Sequence, residues 1–462
     1  LEMVEQAVAE QYVKATELNL LDVKTTSDKP ATFVGTIVKA NDLPQIAGSD
    51  SIVFQKKEEL AGKTNADITY AESYYRLTPT DLEKLKIAYL YGADACYIGG
   101  QNYSLRANAN NFSLEDIKKA SEYAHKLNKK LYVTVNIIFH NEDLEGLTEY
   151  LKELEKCNID AIIVSDPLII DIVKQENINL NIHISTQNST TNKESVKYWL
   201  EQGVERVVLA RETNKKQIKE IIKETNSEIE VFLHGAMCTC YSGRCVLSNY
   251  FTNRDSNRGG CAQVCRFIFD LDKERKTKYS IATKDLNLSN YIPELIEIGV
   301  KSLKIEGRMR SSYYVATVIS CYRKLIDAYY NNSFTKELLE KNNKILTRVA
   351  NRESTSQYFK GTTDENDQYY NGRDEASNQD FLAVVIDYDN KEHILVLEQR
   401  NYFKKEDEAV VFTPDGKEHN IVFKNIYDED LNEIDCARHP KQIIKIKTNN
   451  KYPKNSMIRV KF

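Results

Sequence analysis

The sequence predicts an α/β fold: a (β/α)8 TIM-like barrel with a C-terminal small antiparallel β-barrel domain and a short N-terminal appendage. Three observations carry this. From about Arg76, amphipathic stretches alternate with short β-branched apolar runs, the rhythm of parallel β-α units. The helix exits repeat: Gly92-Ala93-Asp94, Asn158-Ile159-Asp160, Gly203-Val204-Glu205 and Gly299-Val300-Lys301 each put a residue tolerant of left-handed backbone where a helix must turn into the next strand. Beyond Asp380 the period shortens to alternating strands around a Pro414-Asp415-Gly416 turn.

In chain order, residues 1–70 form an appendage without a motif that can be tied to chemistry. Residues 71–361 form the barrel. Its strands are expected at Tyr75–Thr78, Cys96–Ile98, Leu131–Ile137, Ala161–Ser165, Ile182–Ser185, Arg206–Ala210, Ile229–Leu233 and Ser302–Ile305. Between them, Ile117, Ala120, Ala124 and Leu127 mark one helical face, opened by Ser113 with Asp116 three residues on as a capping pair. Residues 362–380 are polar and read as a linker. Residues 381–462 carry six short strands, the last two being Ile443–Lys447 and Met457–Val460.

Charge and composition narrow the function. A formal net charge of −5 over 462 residues announces no global field for nucleic acid, so such binding has to come from a local patch. One exists: from Arg438 to Phe462 the chain has eight cations and no acid, among them Lys441, Lys445 and Lys447. No apolar run reaches the ~18 residues needed to span a bilayer. The acidic N-terminus lacks a secretion-signal layout, and nine cysteines are an odd number, five of them crowded between Cys238 and Cys265. A cytoplasmic protein with reduced thiols is expected.

Those thiols are the strongest signal. Cys238, Cys245, Cys261 and Cys265 stand as C-x6-C-x15-C-x3-C in a glycine-rich loop placed after a barrel strand. Zinc usually takes C-x2-4-C pairs on both arms, whereas an iron–sulfur cluster accepts thiolates spread along a loop because each binds a separate corner. Spacing therefore favours iron–sulfur over zinc, and leaves open whether Cys238 or Cys240 coordinates. At expected strand ends stand Gln187, Arg211 with Glu212, His234, and the group Lys304, Glu306 and Arg308. Polar residues there face substrate in such barrels, and converging cations suit an anion. A Cys238–His234 pair offers a nucleophile and base, but there is no G-x-S-x-G or H-E-x-x-H.

His234-Gly235-Ala236-Met237-Cys238, Tyr241-Ser242-Gly243-Arg244-Cys245 and Asn257-Arg258-Gly259-Gly260-Cys261 resemble the signature of the collagenase-like peptidase family of unknown catalytic type. So do Tyr97-Ile98-Gly99-Gly100 with Ser104-Leu105-Arg106, Lys304-Ile305-Glu306-Gly307-Arg308, and Ala437-Arg438-His439-Pro440. Despite its name, the family includes enzymes that hydroxylate RNA bases or a quinone ring without molecular oxygen. The resemblance implies a 4Fe-4S cluster on Cys238, Cys245, Cys261 and Cys265, and it selects Cys238 over Cys240. It also implies tRNA as partner, oxygen-independent conversion of wobble uridine to 5-hydroxyuridine, and a small dicarboxylate such as prephenate as hydroxyl donor. Arg106, Gln187, Arg211, Lys304 and Arg308 are then expected to bind substrate, His234 and Glu306 are the catalytic candidates, and Lys441, Lys445 and Lys447 are expected to meet RNA. The alternative is a collagenase-like peptidase whose catalytic residues are not identifiable. The chain departs from the family at Arg76–Asp81, where relatives carry an apolar strand and a Pro-Ala-Gly turn, and at Asn287, where some carry a cysteine.

Overall fold

The computed structural model describes residues 81–105, 111–270, 278–307, 310–350, 352–370 and 379–461. The first part alternates as expected: α1 (Asp81–Leu90), β1 (Ala95–Gly99), α2 (Leu114–Lys126), β2 (Lys130–Val135), α3 (Leu147–Lys156), β3 (Ala161–Val164), α4 (Pro167–Gln175) and β4 (Ile182–Ile184). It continues with α5 (Lys193–Glu201), β5 (Arg206–Val208), α6 (Lys215–Thr225), β6 (Glu228–Gly235), α7 (Leu247–Thr252), β7 (Asp285–Asn287), α8 (Ile292–Ile298) and β8 (Ser302–Ile305). Two helices, α9 (Ser312–Tyr330) and α10 (Lys336–Ala350), and the short β9 (Ser354–Thr355) complete it.

Strands β1 to β6 pair in sequence order, all parallel, and β8 adds parallel to β6. Their apolar composition follows from burial on both faces: all four residues of β3 are buried, as are the last five of β2. Ser113 and Asp116 form a reciprocal capping box that starts α2, and Ile117, Ala120 and Ala124 are buried beneath it. The repeated helix exits have one cause, since Gly92, Asn158, Gly203 and Gly299 all have positive φ.

Seven of the eight expected barrel strands are found. The eighth, Tyr75–Thr78, and the appendage 1–70 lie outside the described residues. Closure is not seen among those described: β1 and β8 share no ladder, and a cavity of about 700 Å³ lies along them. Side chains bridge it, with Tyr97 donating to Glu306 at 2.9 Å and the Lys304 ammonium 4.3 Å from the Tyr97 ring centroid. Sequence periodicity also missed β7, which runs antiparallel to the end of β6 (Leu286 opposite Gly235) and pairs with β9. Three residues are too few to show a period.

The stretch read as a linker is partly structured: Gln368–Tyr369 pairs with Ala282–Thr283, and buried Asp380 is bonded by Arg348 at 2.7 Å. The C-terminal part has β10 (Phe381–Asp389), β11 (Ile394–Gln399), β12 (Glu408–Phe412), β13 (Glu418–Val422), β14 (Ile426–Tyr427), β15 (Glu433–Ile434), β16 (Ile443–Lys447) and β17 (Met457–Val460). They form an antiparallel sheet in the order β13-β12-β17-β10-β11-β16-β14-β15, wrapped on a core that includes the stacked pair Phe403 and Phe423. Its two end strands are not paired to each other among the described residues, so a closed small barrel is not seen.

Candidate functional site

The cysteine loop leaves β6 at Gly235, the C-terminal end of the parallel sheet, and is fastened to the neighbouring strand ends at three points. Glu212, after β5, accepts hydrogen bonds from the backbone N–H and the hydroxyl of Ser242, both at 2.6 Å. The Arg244 Nε donates to the Gln187 carbonyl, after β4, at 2.6 Å. The Arg258 guanidinium grips Asp143, after β2, with Nη2 to Oδ1 at 2.7 Å, and this holds the Asp143 carboxyl below its ordinary range. Each tie involves a charged side chain, where hydrogen bonds are strongest.

Inside the loop the backbone is tightly folded. Cys245 donates its N–H to Asn257 Oδ1 at 3.1 Å, and its carbonyl accepts from Asn257 Nδ2 at 2.9 Å and from the Ser256 hydroxyl. A Cβ on Gly260 would lie 2.7 Å from the Asp255 carbonyl oxygen, so only glycine fits there.

All nine cysteines are free thiols. Cys238, Cys245, Cys261 and Cys265 lie within electrostatic reach of one another; Cys261 is exposed and the other three are half-buried. Burial pushes the Cys238 thiol up and the Cys265 thiol up to about 11. Cys240 joins the group through a hydrogen bond with Cys245 and, mainly through burial, is pushed up to about 12. Among the described residues, no three His, Cys, Asp or Glu side chains close on a point that would seat a single metal ion. Four thiols are a soft donor set of the kind that iron–sulfur clusters and zinc take.

Of the expected catalytic residues, His234 is fully enclosed: its Nδ1 is 3.1 Å from the Tyr322 hydroxyl, which donates to Asn287 at 2.9 Å. Burial, and then the charge of Arg310, pushes it down to about 3, so it is a neutral imidazole at physiological pH. No hydrogen bond joins it to Cys238 among the described residues. Glu306 is buried beneath Gly235, whose Cβ, if present, would lie 2.9 Å from Glu306 Cβ.

The expected substrate ligands divide. Gln187 packs against Gly243 at the mouth, and Arg211 lies over the Phe232 ring at 3.8 Å with its charge acting on Cys238. Lys304 turns into the sheet interior, where Glu230 meets its charge at 2.9 Å among Arg206, Tyr132 and His183. Arg106 and Arg308 lie outside the described residues. Sequence reading passed over a denser group of cations. Arg310 and Arg352 both bind Oδ2 of buried Asp285 at 3.1 Å, and Arg266, next to Cys265, lies within electrostatic reach of Asp285 and Arg310. Three guanidinium groups thus surround that carboxylate beside the thiols. The signal available was Arg266 adjoining a cysteine; Arg310 and Arg352 come from distant segments that only the fold joins.

On the C-terminal sheet, Lys441 and Lys447 are exposed and Lys445 half-buried. Lys445 donates to the Glu429 carbonyl at 2.7 Å, and the Lys447 ammonium is 5.4 Å from the Tyr427 ring centroid. Among the described residues no helix is long and apolar enough to cross a membrane.

Comparison with known proteins agrees with this layout. Residues 80–369 match the model of peptidase family U32, and residues 377–459 match that family's C-terminal domain. The chain is 47% identical over 393 residues to tRNA hydroxylation protein P1 of Bacillus subtilis, covering 82% of this chain and 92% of that one. It is 39% identical over 246 residues to the 23S rRNA 5-hydroxycytidine C2501 synthase of Escherichia coli, covering 52% of this chain and 37% of that one. A collagenase of Porphyromonas gingivalis is 34% identical over 298 residues, covering 60% of this chain and 71% of that one.

Proposed function

This chain belongs to peptidase family U32, and we propose that it is an RNA-modifying enzyme that hydroxylates the wobble uridine of tRNA at C5 without molecular oxygen. The observation that carries the reading is the loop itself: four free thiols gathered at the end of a parallel sheet and tied to three neighbouring strand ends. The names of its B. subtilis and E. coli relatives, both RNA hydroxylation proteins, support it.

In this reading Cys238, Cys245, Cys261 and Cys265 hold an iron–sulfur cluster, 4Fe-4S as the family resemblance implies, with zinc the lesser alternative. Bound there, such a group supplies one-electron redox chemistry. Replacing C5–H by C5–OH removes two electrons from the base, so the reaction needs an electron acceptor as well as a hydroxyl source; a small dicarboxylate such as prephenate is proposed as that source. Its carboxylates fit Arg266, Arg310 and Arg352, where two cations exceed what Asp285 neutralises and where planar guanidinium forks match carboxylate geometry. Lys304, already met by Glu230, is a poorer candidate. Neutral His234 donates or accepts a hydrogen bond without adding charge, and Glu306 is placed beneath the loop to receive a proton. Lys441 and Lys447 offer the sheet's exposed charge to RNA phosphates.

Nucleoside mass spectrometry of tRNA from cells with and without this protein tests the reading. Loss of 5-hydroxyuridine on deletion, restored by the wild-type chain and not by Cys261→Ser, is the expected result. An unchanged pool in cells without a redundant pathway overturns it. The family description and the P. gingivalis relative favour a second reading, a peptidase. Undiminished peptide cleavage by a Cys238→Ser variant that has lost its iron would favour it.

A further inference from the structure

Resting on the RNA reading above, we infer that the target base is held in an amide-lined pocket between the ends of β2, β3 and β4 and the cysteine loop. This cavity of about 400 Å³ presents four side-chain amides, Asn136, Gln187, Asn188 and Asn257, along with Trp199. Its volume accommodates one pyrimidine with part of its ribose and falls in the usual range for small-ligand pockets.

Two of the amides are committed to the fold. Asn136 accepts from the Leu105 N–H at 3.4 Å and donates to the Ser185 hydroxyl at 3.3 Å, and Asn257 is bonded at both ends to the Cys245 backbone. The other two have capacity left. Gln187 Oε1 and Asn188 Nδ2 are buried with no hydrogen-bond partner in the structure. Buried polar atoms are nearly always paired, because an unpaired one keeps its desolvation cost with nothing to offset it. An acceptor and a donor on consecutive residues match the donor and acceptor that a pyrimidine presents side by side on its Watson–Crick edge. Arg244 Nη2 donates to Asn188 Oδ1 at 3.5 Å and so holds the Asn188 donor toward the free side, while Gln187 can flip; the pair therefore selects between uracil and cytosine by what Gln187 presents.

Location strengthens the match. Arg244 and Asn257 are shared between this pocket and the fold of the loop, and Asn257 holds the Cys245 backbone, so a base bound here contacts a residue that fixes the position of a cluster cysteine. Among the described residues, Asp166 and Arg244 are the charged ones lining the pocket, one of each sign. A neutral heterocycle therefore suits it better than a carboxylate. The anion belongs with the arginines around Asp285.

The test uses the anaerobically reconstituted full chain and an anticodon stem-loop RNA carrying 4-thiouridine at the wobble position. After irradiation, cross-linked peptides are mapped by mass spectrometry. Cross-links are expected on the segments bearing Ser165 to Pro167, Gln187 and Asn188, or Trp199. The double variant Gln187→Leu/Asn188→Leu should lower their yield about tenfold while iron content and overall RNA affinity change less than twofold. Cross-links confined to other surfaces, or a yield unaffected by the double variant, would overturn the assignment. Because the readout needs no turnover, it stands even if no 5-hydroxyuridine is made, and so separates failure of the pocket from failure of the hydroxylation reading.

Discussion

Single side chains decide whether the loop and the sheet interior hold their form. Glu212 is the clearest case, because one carboxylate takes both the N–H and the hydroxyl of Ser242, four residues beyond Cys238. Hydrogen bonds to a charged group contribute about 1.5–3 kcal/mol. Glu212→Ala should therefore cost about 2 kcal/mol in urea unfolding and lower the iron bound per chain; full iron content in the variant would rule out this role. His183 gives a pH prediction. Burial, and then the charge of Arg206, puts it at about 3 in the folded chain against an ordinary 6.5. The unfolded chain thus binds a proton that the folded chain refuses. Stability from this residue is complete above pH 6.5 and is lost as pH falls toward 3. Linkage gives a slope of about 1.4 kcal/mol per pH unit for one such proton. His183→Gln should remove about that much slope between pH 6 and 4, measured as urea midpoints; an unaltered slope would show that His183 is not the responsible group. Sequence reading found the four cysteines, which are chemically distinctive, but it placed Lys304 at the mouth. Its position at a strand end suggested a substrate-facing cation, and nothing in the sequence showed that Glu230 meets it inside the sheet.

For individual elements, the local rules of backbone conformation carried furthest. A left-handed residue after a helix is dictated by neighbours only one or two positions away, which is why Gly92, Asn158, Gly203 and Gly299 were readable before any fold was known. The capping box at Ser113 is local in the same way. The short antiparallel β7 was not, because its partners at Gly235 and Thr355 lie far along the chain. Two glycines of the described chain provide a matched test of what local means. At Gly260 an added methyl meets the Asp255 backbone at 2.7 Å, whereas at Gly146 it meets nothing within 4 Å and suffers only from a φ of 76°. Gly146→Ala should cost about 1–2 kcal/mol, the left-handed penalty alone, and leave iron binding intact. Gly260→Ala should displace the Asp255–Cys261 turn and cut iron and acid-labile sulfide per chain by more than half. Equal iron contents in the two variants would show that the tight turn does not position Cys261.

At the level of the whole molecule, the C-terminal sheet is bound to the helices of the first part by contacts that no sequence pattern advertises. Tyr313 on α9 stacks on Phe381 with centroids 4.5 Å apart, and the hydroxyl of Tyr91, just after α1, donates to the Asn455 carbonyl at 2.8 Å. The electrostatic centre is Glu418 on β13, which meets Lys324 of α9 at 2.8 Å, Lys341 of α10 at 2.7 Å and Arg459 of its own sheet at 3.1 Å. Burial alone would raise the Glu418 carboxyl, but the three cations outweigh it and hold it at about 2, against an ordinary 4.5. Its contribution is therefore full above pH 4.5 and disappears as pH falls toward 2. Removing one partner of a buried charge network leaves the rest uncompensated, at a cost of about 3 kcal/mol. The single tryptophan, Trp199, is on α5 and reports the first part alone, whereas far-ultraviolet circular dichroism reports both. In the wild type at pH 7 the two signals should be lost together in urea. In Glu418→Gln the circular dichroism should begin to fall first, because the sheet loses its main ionic tie to α9 and α10 while the environment of Trp199 is untouched. Lowering the pH from 5 to 3 adds the His183 loss to wild type and variant alike, whereas the further loss from Glu418 should appear in the wild type and be absent from the variant. Coincident transitions in the variant would mean that the aromatic contacts alone keep the two parts folding as one.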